Sequence, residues 1–358
     1  MSLVGTTVRG VQTNWSRLRP LGAAVAVVLL AALVLPATRD RLLRYPLATV
    51  EFILLVLGVI AFWAIPSDFT KRMRKNPLSV AGFLLIVLFV ALAVLAPILA
   101  PPSASSRNAY LIPQEGFSSD PRPPQARHPF GTTEGQYDLY YGIIWGTRTA
   151  FRVSLVVIAI SVAVGLVLGG ISGYYGGRID EVVMRVTDVF LAFPGLVLAV
   201  VVVAVLGRSL DNVMIAIAIV NWPVYARLLR GDILGVRSRD FVEAARAMGG
   251  SDFRIIFRHV IPNSIYPFLV FGSLDVGLIV LTAAALSLLG LGAEVGYADW
   301  GMLINLSRNW ILGAPGKPFA YWYVVIFPGT AIFLFVLGWN LLGDAFRDIL
   351  DPRLRGSS

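Results

Sequence analysis

Apolar runs separated by short polar segments occupy most of this sequence. Eight of the runs have lengths close to the roughly 20 helical residues that cross a hydrocarbon core of about 30 Å. They are Pro20–Ala37, Leu47–Ile65, Leu78–Ala100, Ala150–Gly173, Val189–Gly207, Val213–Leu229, Tyr266–Gly290 and Trp322–Leu342. Because backbone polar groups in lipid need partners within the protein, we predict that these runs are helices. The pattern therefore predicts an all-α integral membrane protein, a polytopic bundle of about eight transmembrane helices.

Composition supports a membrane protein and excludes several kinds of site. The 358 residues are 57% hydrophobic and 14% charged, whereas soluble domains average roughly 45–50% and 25%. The chain has no cysteine, which excludes disulfides, thiolate metal sites and cysteine nucleophiles. With only His128 and His259, it also has no histidine cluster.

The basic residues predict an orientation in the membrane. The net charge is +9, but Lys and Arg lie in short segments between apolar runs rather than along one helix face. This distribution is typical of a topology signal and not of a nucleic-acid surface. A cytoplasmic N-terminus places the basic segments 71–75 and 230–258 inside, and it also places the C-terminus inside.

The first apolar run has two interpretations. Arg17 and Arg19 precede it, as basic residues precede a signal peptide, but no A-x-A-like cleavage site follows. We therefore favour an uncleaved helix, which pairs with the second run to form a hairpin within residues 1–70. Two polar segments are long, residues 101–149 and 293–321, and the first contains APPSASS and DPRPP, a composition that favours irregular chain.

Glycine and proline mark places where helices pack or bend. Gly165, Gly169, Gly173 and Gly177 are spaced four apart, so they line one helix face and allow a second backbone to approach closely. A phosphate cradle would need a preceding strand and a lysine, and neither is present. Pro194, Pro223 and Pro328 can kink their helices, either to shape a gate or as tolerated membrane geometry; we favour the second alternative.

The polar segment between the sixth and seventh runs is basic and amphipathic. The helix-forming stretch DFVEAARAM ends at Gly249-Gly250, Ser251 or Asp252 can cap a second helix, and Pro262 is expected to close the unit. We predict two short helices that meet at a glycine corner on the cytoplasmic face.

Residue spacing in this segment resembles a known motif. The run Glu243-Ala244-Ala245, then Gly249 after three intervening residues, then an ending at Pro262 look like the EAA loop of permease subunits of ABC-type importers. His259 replaces the first aliphatic residue of that ending, as it often does in members that transport peptides.

Other segments are similar to dipeptide and oligopeptide permease subunits of the C type, and the resemblance extends over residues 74–356. They are RKNPLSVAGFLLIVLFVALAVLAPILAP, HPFGT, GYYGGRIDEVVMRVTDVFLAFPG, LSLLGLG, DWGMLI and WNLLGDAFRDILDPRLRG. The chain departs from the family where Gln136-Tyr137-Asp138 follow Gly135, in place of Gly-Arg-Asp, and at Ala283, where a glutamate is common.

The resemblance implies an architecture and a set of partners. Residues 71–149 would hold the first core helix and a long extracytoplasmic loop over the outer mouth of a pore. Residues 150–358 would form the permease core, with a coupling loop at 230–262. A second permease subunit would complete the pore, two ATPase subunits would bind the ATP and Mg, and an extracytoplasmic binding protein would deliver substrate. The chain itself is expected to hold no cofactor or metal and to bind lipid but no nucleic acid.

By the same resemblance, the EAA loop would sit in a groove of an ATPase subunit. The residues expected to couple the two subunits are Glu243, Ala244, Ala245, Gly249, Arg254 and Pro262. Charged residues offer contacts, the alanines permit close approach, and Gly249 permits the corner. The alternative is an ordinary solvated amphipathic loop, which the motif spacing disfavours.

Two polar residues lie inside predicted spans, where polar groups cost free energy. Asp275 can line a pore, contact a partner subunit or pair with a donor on another helix, and we leave these alternatives open. Asn221 is a second candidate for the pore, although a packing hydrogen bond is the simpler interpretation.

Other classes of function lack their signals. The sequence has no H-E-x-x-H, no G-x-S-x-G and no G-x-x-x-x-G-K-[ST] motif, so it contains no recognisable hydrolase site or ATP-binding P-loop. An ion-coupled secondary transporter would favour inverted repeats and ionisable residues at mid-membrane. We therefore expect a permease subunit for peptides in the plasma membrane; oligosaccharides or nickel complexes are the alternative substrates.

Overall fold

A computed structural model describes residues 45–64, 68–103, 108–314 and 316–350. Its helices are α1 Pro46–Ala64, α2 Asp68–Lys75, α3 Pro77–Leu99, α4 Leu139–Tyr175, α5 Gly177–Leu191, α6 Gly195–Leu206, α7 Leu210–Arg237, α8 Asp240–Ala247, α9 Asp252–Ile255, α10 Ile261–Leu288, α11 Trp300–Asn305 and α12 Tyr323–Leu350. Short 3-10 turns cover Glu134–Gln136 and Arg308–Trp310, and a π turn covers Ile256–Val260. Strands β1 Gly313–Ala314 and β2 Lys317–Pro318 pair antiparallel.

The described helices confirm the predicted all-α membrane fold. Five are long and apolar enough to cross a bilayer, namely α3, α4, α7, α10 with the segment before it, and α12. The bent pair α5 and α6 brings the number to six if it forms one span. The shorter apolar helix α1 lies within the second predicted run, and the first predicted run, Pro20–Ala37, falls outside the described residues.

The predicted span Val189–Gly207 is wrong as a single straight helix. Helix α5 ends at Leu191, α6 begins at Gly195, and the two axes differ in direction by 89°. Pro194 precedes α6 and has an extended ψ of 123°. Since proline lacks an N–H and disfavours helical geometry in the residue before it, the chain bends here.

Helix α4 begins eleven residues before the predicted span, so its first turns were wrongly assigned to the irregular outer segment. The Asp138 carboxylate caps the helix by accepting from the Tyr141 N–H at 2.9 Å. Trp145 is buried, and its indole N–H donates to the Ala100 carbonyl at 2.8 Å. This part of α4 is covered by protein instead of lipid, which explains its mixed polar and aromatic sequence.

The remaining outer segments fold against each other above the helices. Leu111 pairs with Tyr297 in an isolated bridge, and the Glu134 carboxylate accepts from the Trp310 indole at 3.1 Å. His128 lies 2.6 Å from the carboxylate of Asp138, the residue that caps α4. Residues 108–138 are otherwise irregular, as predicted, and they tie the start of α4 to the 293–321 segment.

Close contact between α4 and α7 organises the bundle. A Cβ on Gly165 would lie 2.4 Å from Tyr225 Cβ, and a Cβ on Gly169 would lie 2.4 Å from the Ala226 carbonyl oxygen. Gly173 faces Ile233 in the same way, whereas Gly177 begins α5 and meets nothing. Three of the four spaced glycines therefore make the predicted helix-on-helix contact.

We predict that Gly169→Ala destabilises the protein while Gly170→Ala does not. The new methyl group at position 169 overlaps a backbone atom of α7, at a cost of about 1–3 kcal/mol. At position 170 it meets nothing within 4 Å. Thermal unfolding of the detergent-purified variants should show a midpoint lower by about 3 °C or more for Gly169→Ala only. Equal midpoints would contradict the close packing of α4 and α7.

Candidate functional site

Helix α8 has one buried face and one exposed face. Val242 and Ala245 are buried, and they pack in a hydrophobic cluster with residues of α7 such as Ile233. Glu243 and Ala244 lie on the exposed face. The helix is therefore fixed to the bundle while half of it remains open to a partner.

A glycine turn ends α8 in the manner of a Schellman motif. The Gly250 N–H donates to the Ala245 carbonyl at 3.1 Å, and the Gly249 N–H donates to the Arg246 carbonyl at 3.0 Å. Gly249 has a φ of +80°, which glycine adopts at little cost. The predicted glycine corner is confirmed.

The second short helix is not the separate unit that the sequence predicted, and Pro262 does not close it. Helix α9 continues through the π turn Ile256–Val260 directly into α10. Pro262 lies in the first turn of α10, and the Ile261 N–H reaches back five residues to the Ile256 carbonyl. This widened turn accommodates the missing N–H of proline without a break. The corner is thus joined rigidly to a membrane span.

Tyr174, at the end of α4, connects the two arms of the corner. Its hydroxyl donates to the Asp252 carboxylate at 2.6 Å, and the Arg246 guanidinium lies over its ring at 5.9 Å. Contact with the hydroxyl raises the pKa of Arg246. Arg237 of α7 donates to the Tyr174 carbonyl at 2.7 Å, so α4, α7 and both arms of the corner meet at one residue.

Ion pairs fix α5 to α7 at the same end of the bundle. Arg230 donates to both carboxylate oxygens of Asp180 at 2.5 Å, and the Ser172 hydroxyl donates to the same carboxylate. Arg227 pairs with Asp188. A bidentate arginine–carboxylate pair adds geometric specificity to its charge. The sequence analysis missed these pairs, because Asp180 and Arg230 lie 50 positions apart.

The exposed surface of α8, the glycine turn, α9 and the following π turn forms what we call the docking face. Large apolar side chains project from it: Phe241, Met248, Phe253 and Phe257. Met248 is 81% exposed and Phe253 is 72% exposed. Exposed apolar groups clustered among polar ones are typical of protein–protein contacts.

The predicted coupling residues divide between this docking face and the interior. Glu243, Ala244, Gly249 and Arg254 are exposed on the docking face, and Pro262 is exposed beyond it in the first turn of α10. Ala245 is 7% exposed and packs inward. The apolar members of the face were missed, although their position beside the motif was a signal.

The two polar residues predicted inside spans bond to each other. Asp275 of α10 is 6% exposed, and one of its carboxylate oxygens accepts from the Asn221 amide at 3.0 Å. The same oxygen accepts from the Tyr225 hydroxyl at 2.8 Å. Tyr225 was missed, although it follows Asn221 by four residues and so shares its helix face. The cluster joins α7 to α10.

Within the described residues, no group of three or more His, Asp or Glu side chains is placed to hold a metal ion. The arrangement thus consists of a rigid docking face, a buried polar cluster and a bundle of spans. These features define a polytopic membrane protein with an exposed, partly apolar corner at one end of its helices.

Comparisons with known proteins name the family. The family described as binding-protein-dependent transport system inner membrane component matches residues 165–356, and the N-terminal transmembrane domain of oligopeptide transport permease C matches residues 62–113. The chain belongs to this family of ABC transporter permease subunits, in its dipeptide and oligopeptide branch.

Curated relatives agree with this assignment. The chain is 40% identical to the dipeptide transport system permease protein of Alkalihalophilus pseudofirmus, over 80% of this chain and 89% of the relative. It is 36% identical to the glutathione transport system permease protein of Pectobacterium atrosepticum, over 90% and 96%. It is 40% identical to the probable D,D-dipeptide transport system permease protein of Escherichia coli K12, over 79% and 90%.

We predict that Gly249→Val impairs the docking face. A β-branched residue at a φ of +80° costs about 1–3 kcal/mol, which lowers the equilibrium constant for forming the native turn by a factor of about 5 or more. Substrate-stimulated ATP hydrolysis and transport should fall together in vesicles that contain all the subunits.

Gly235→Val is the matched control for this experiment. Gly235 is an exposed glycine within α7, and a Cβ there meets nothing within 4 Å. It should retain both rates. Transport by Gly249→Val at the wild-type rate would show that this turn does not couple the subunits.

Proposed function

We propose that this chain forms half of the translocation pore of an ATP-driven peptide importer. The observation that carries the proposal is the docking face, which is continuous with membrane span α10. Family membership identifies the chain as a permease subunit of an ABC transporter. These permeases are pore components, and the ATPase activity resides in separate subunits. In this proposal the docking face is the surface that contacts an ATPase subunit.

The geometry suggests how movement reaches the membrane. An ATPase groove would hold Glu243, Ala244 and Arg254 together with the exposed aromatic side chains. Because Tyr174 ties both arms of the corner to α4, a displacement of the docking face moves α4, α7 and α10 as a unit. Such rigid-body transmission is a common way to switch a pore between two states.

The Asp275 cluster lies between α7 and α10, two of the helices that this movement would displace. It joins α7 and α10 halfway along α10, with two donors on one carboxylate oxygen. We infer that Asn221 and Asp275 set the relative position of the two helices beside the pore. A polar contact in an apolar span holds one arrangement of helices against others.

The partner set follows the family. A binding protein outside the membrane and ATPase subunits inside it are general features of these transporters. We further propose two copies of the ATPase and one related but different permease subunit. Helix α1 contacts α3 through Val59 and Ala48, so we place the N-terminal hairpin to which it is predicted to belong outside the pore.

Peptides are the proposed substrates. The relatives are named for transport of dipeptides, D,D-dipeptides and glutathione, all of which contain peptide bonds. Oligosaccharides and nickel complexes remain the alternatives from the sequence analysis. In such systems the binding protein is expected to select the substrate.

Uptake by reconstituted vesicles tests the proposal. Vesicles containing this chain, its partner permease, both ATPase subunits and the binding protein should accumulate a labelled dipeptide only when ATP is supplied on the ATPase side. ATP-dependent uptake of only an oligosaccharide or a nickel complex would overturn the proposed substrate class but support the proposed ATP-driven import. Uptake driven by a proton gradient without the ATPase would overturn the function itself.

We also predict the orientation, with both termini and the docking face in the cytoplasm. The chain has no native cysteine, so single substitutions can be labelled cleanly. In intact cells an impermeant thiol reagent should label Ser119→Cys, in the outer segment, and should not label Ser251→Cys. Both serines are exposed, so accessibility within the fold does not distinguish them. Labelling of Ser251→Cys from outside would reverse the topology.

A further inference from the structure

Arg148 of α4 is a cation at the edge of a membrane span, and it binds a backbone carbonyl of α3 that lacks its usual helical donor. Its Nε–H donates to the Ala93 carbonyl of α3 at 2.5 Å. In a regular helix that carbonyl would accept from residue 97, but residue 97 is a proline inside α3 and has no N–H. Arg148 therefore satisfies a carbonyl that Pro97 leaves without its helical donor.

The remaining donors of Arg148 are not used by the described residues. No carboxylate in the described ranges pairs with it, and its terminal nitrogens have no acceptor there. Its guanidinium lies 5.2 Å from the ring of Trp145, a contact that orients the cation without neutralising it. A guanidinium near lipid that has no carboxylate partner among the described residues favours binding of an anion.

A groove of about 550 Å³ opens beside this cation, between α3, α4 and α12. Its walls are mainly apolar, and they include Ile86, Val90, Val94, Phe151 and Leu155. From Val94 to Ile86 the helix rises about 12 Å, so the groove extends well below the level of Arg148. Arg148 therefore lies toward one end of an open, mainly apolar groove.

Arg148 lies two residues before the predicted span Ala150–Gly173, where the headgroup level of a bilayer is expected. The 37 residues of α4 extend about 55 Å, longer than a hydrocarbon core of about 30 Å. Its first turns are covered by the outer segment, where the Tyr141 hydroxyl donates to the Ala109 carbonyl at 2.7 Å. Tyr110 and Trp145 flank the cation, as aromatic residues do at membrane interfaces.

We propose that this groove binds a phospholipid of the outer leaflet, with its phosphate on Arg148 and one acyl chain along the apolar wall. Phosphate oxygens match the guanidinium donors. The assignment to the outer leaflet rests on the proposed orientation, but lipid binding does not. An anionic lipid such as phosphatidylglycerol is favoured over a zwitterionic one, because the described residues near Arg148 leave its charge uncompensated.

Native mass spectrometry of the assembled transporter tests this site. The transporter is extracted from vesicles of phosphatidylglycerol and phosphatidylcholine, and the retained phospholipid is counted. Arg148→Gln should retain about ten-fold less phosphatidylglycerol than the wild type, since a charge-assisted contact is lost. Arg152→Gln is the control, because Arg152 lies one turn further along α4 and pairs with Asp211 at 2.8 Å. It should retain lipid normally.

A second variant keeps the test decisive if Arg148→Gln fails to assemble. Val90→Trp fills the groove and leaves the cation in place, and it should also lose the lipid. Unchanged retention in both assembled variants would overturn the proposal. Crosslinking of Leu155→Cys to the partner permease would also overturn it, since a protein would then cover the groove. Lipid retention is measured without transport, so either result leaves the proposed function untouched.

Discussion

The need to satisfy every backbone polar group within a membrane governs this structure. It makes the spans helical, and it means that a carbonyl left without its helical donor by a proline needs another partner or a change in backbone geometry. Beside Pro97 the freed carbonyl accepts from Arg148, before Pro262 the helix widens into a π turn, and at Pro194 the chain turns by 89°. At a proline, a helix can therefore stay regular, widen into a π turn or bend, depending on which donors are near.

The contact between α4 and α7 fixes the end of the bundle that carries the docking face. Glycines at 165 and 169 bring the two backbones together, and the helices then stay adjacent for their full shared length. Tyr174 and Arg237 emerge side by side from that contact and hold the corner between α8 and α9. A loop of the same sequence on a loosely packed pair of helices would have no fixed position for a partner to recognise.

Sequence patterns predicted the features that depend on local chemistry. Hydrophobic runs located the described spans, and the Gly249 corner followed from the end of a helix-forming stretch, because a left-handed φ favours glycine. Features that depend on distant residues were missed: the pairing of Asp180 with Arg230, the hydroxyl of Tyr225 on Asp275, and the early start of α4 beneath the outer segment. The last failed because covering protein, unlike lipid, permits polar residues on a helix.

Continuity between the docking face and α10 explains why a polar cluster at mid-span is tolerable. The Asp275 carboxylate is costly in an apolar region unless its acceptors are satisfied, and both of its described donors come from α7. The ion pairs and Tyr174 hold α7 in place at the end beside the docking face, so the Asn221 and Tyr225 donors are already positioned. The structure that orients the docking face thus also keeps the buried carboxylate bonded. A change in the angle between α7 and α10 would disturb both together.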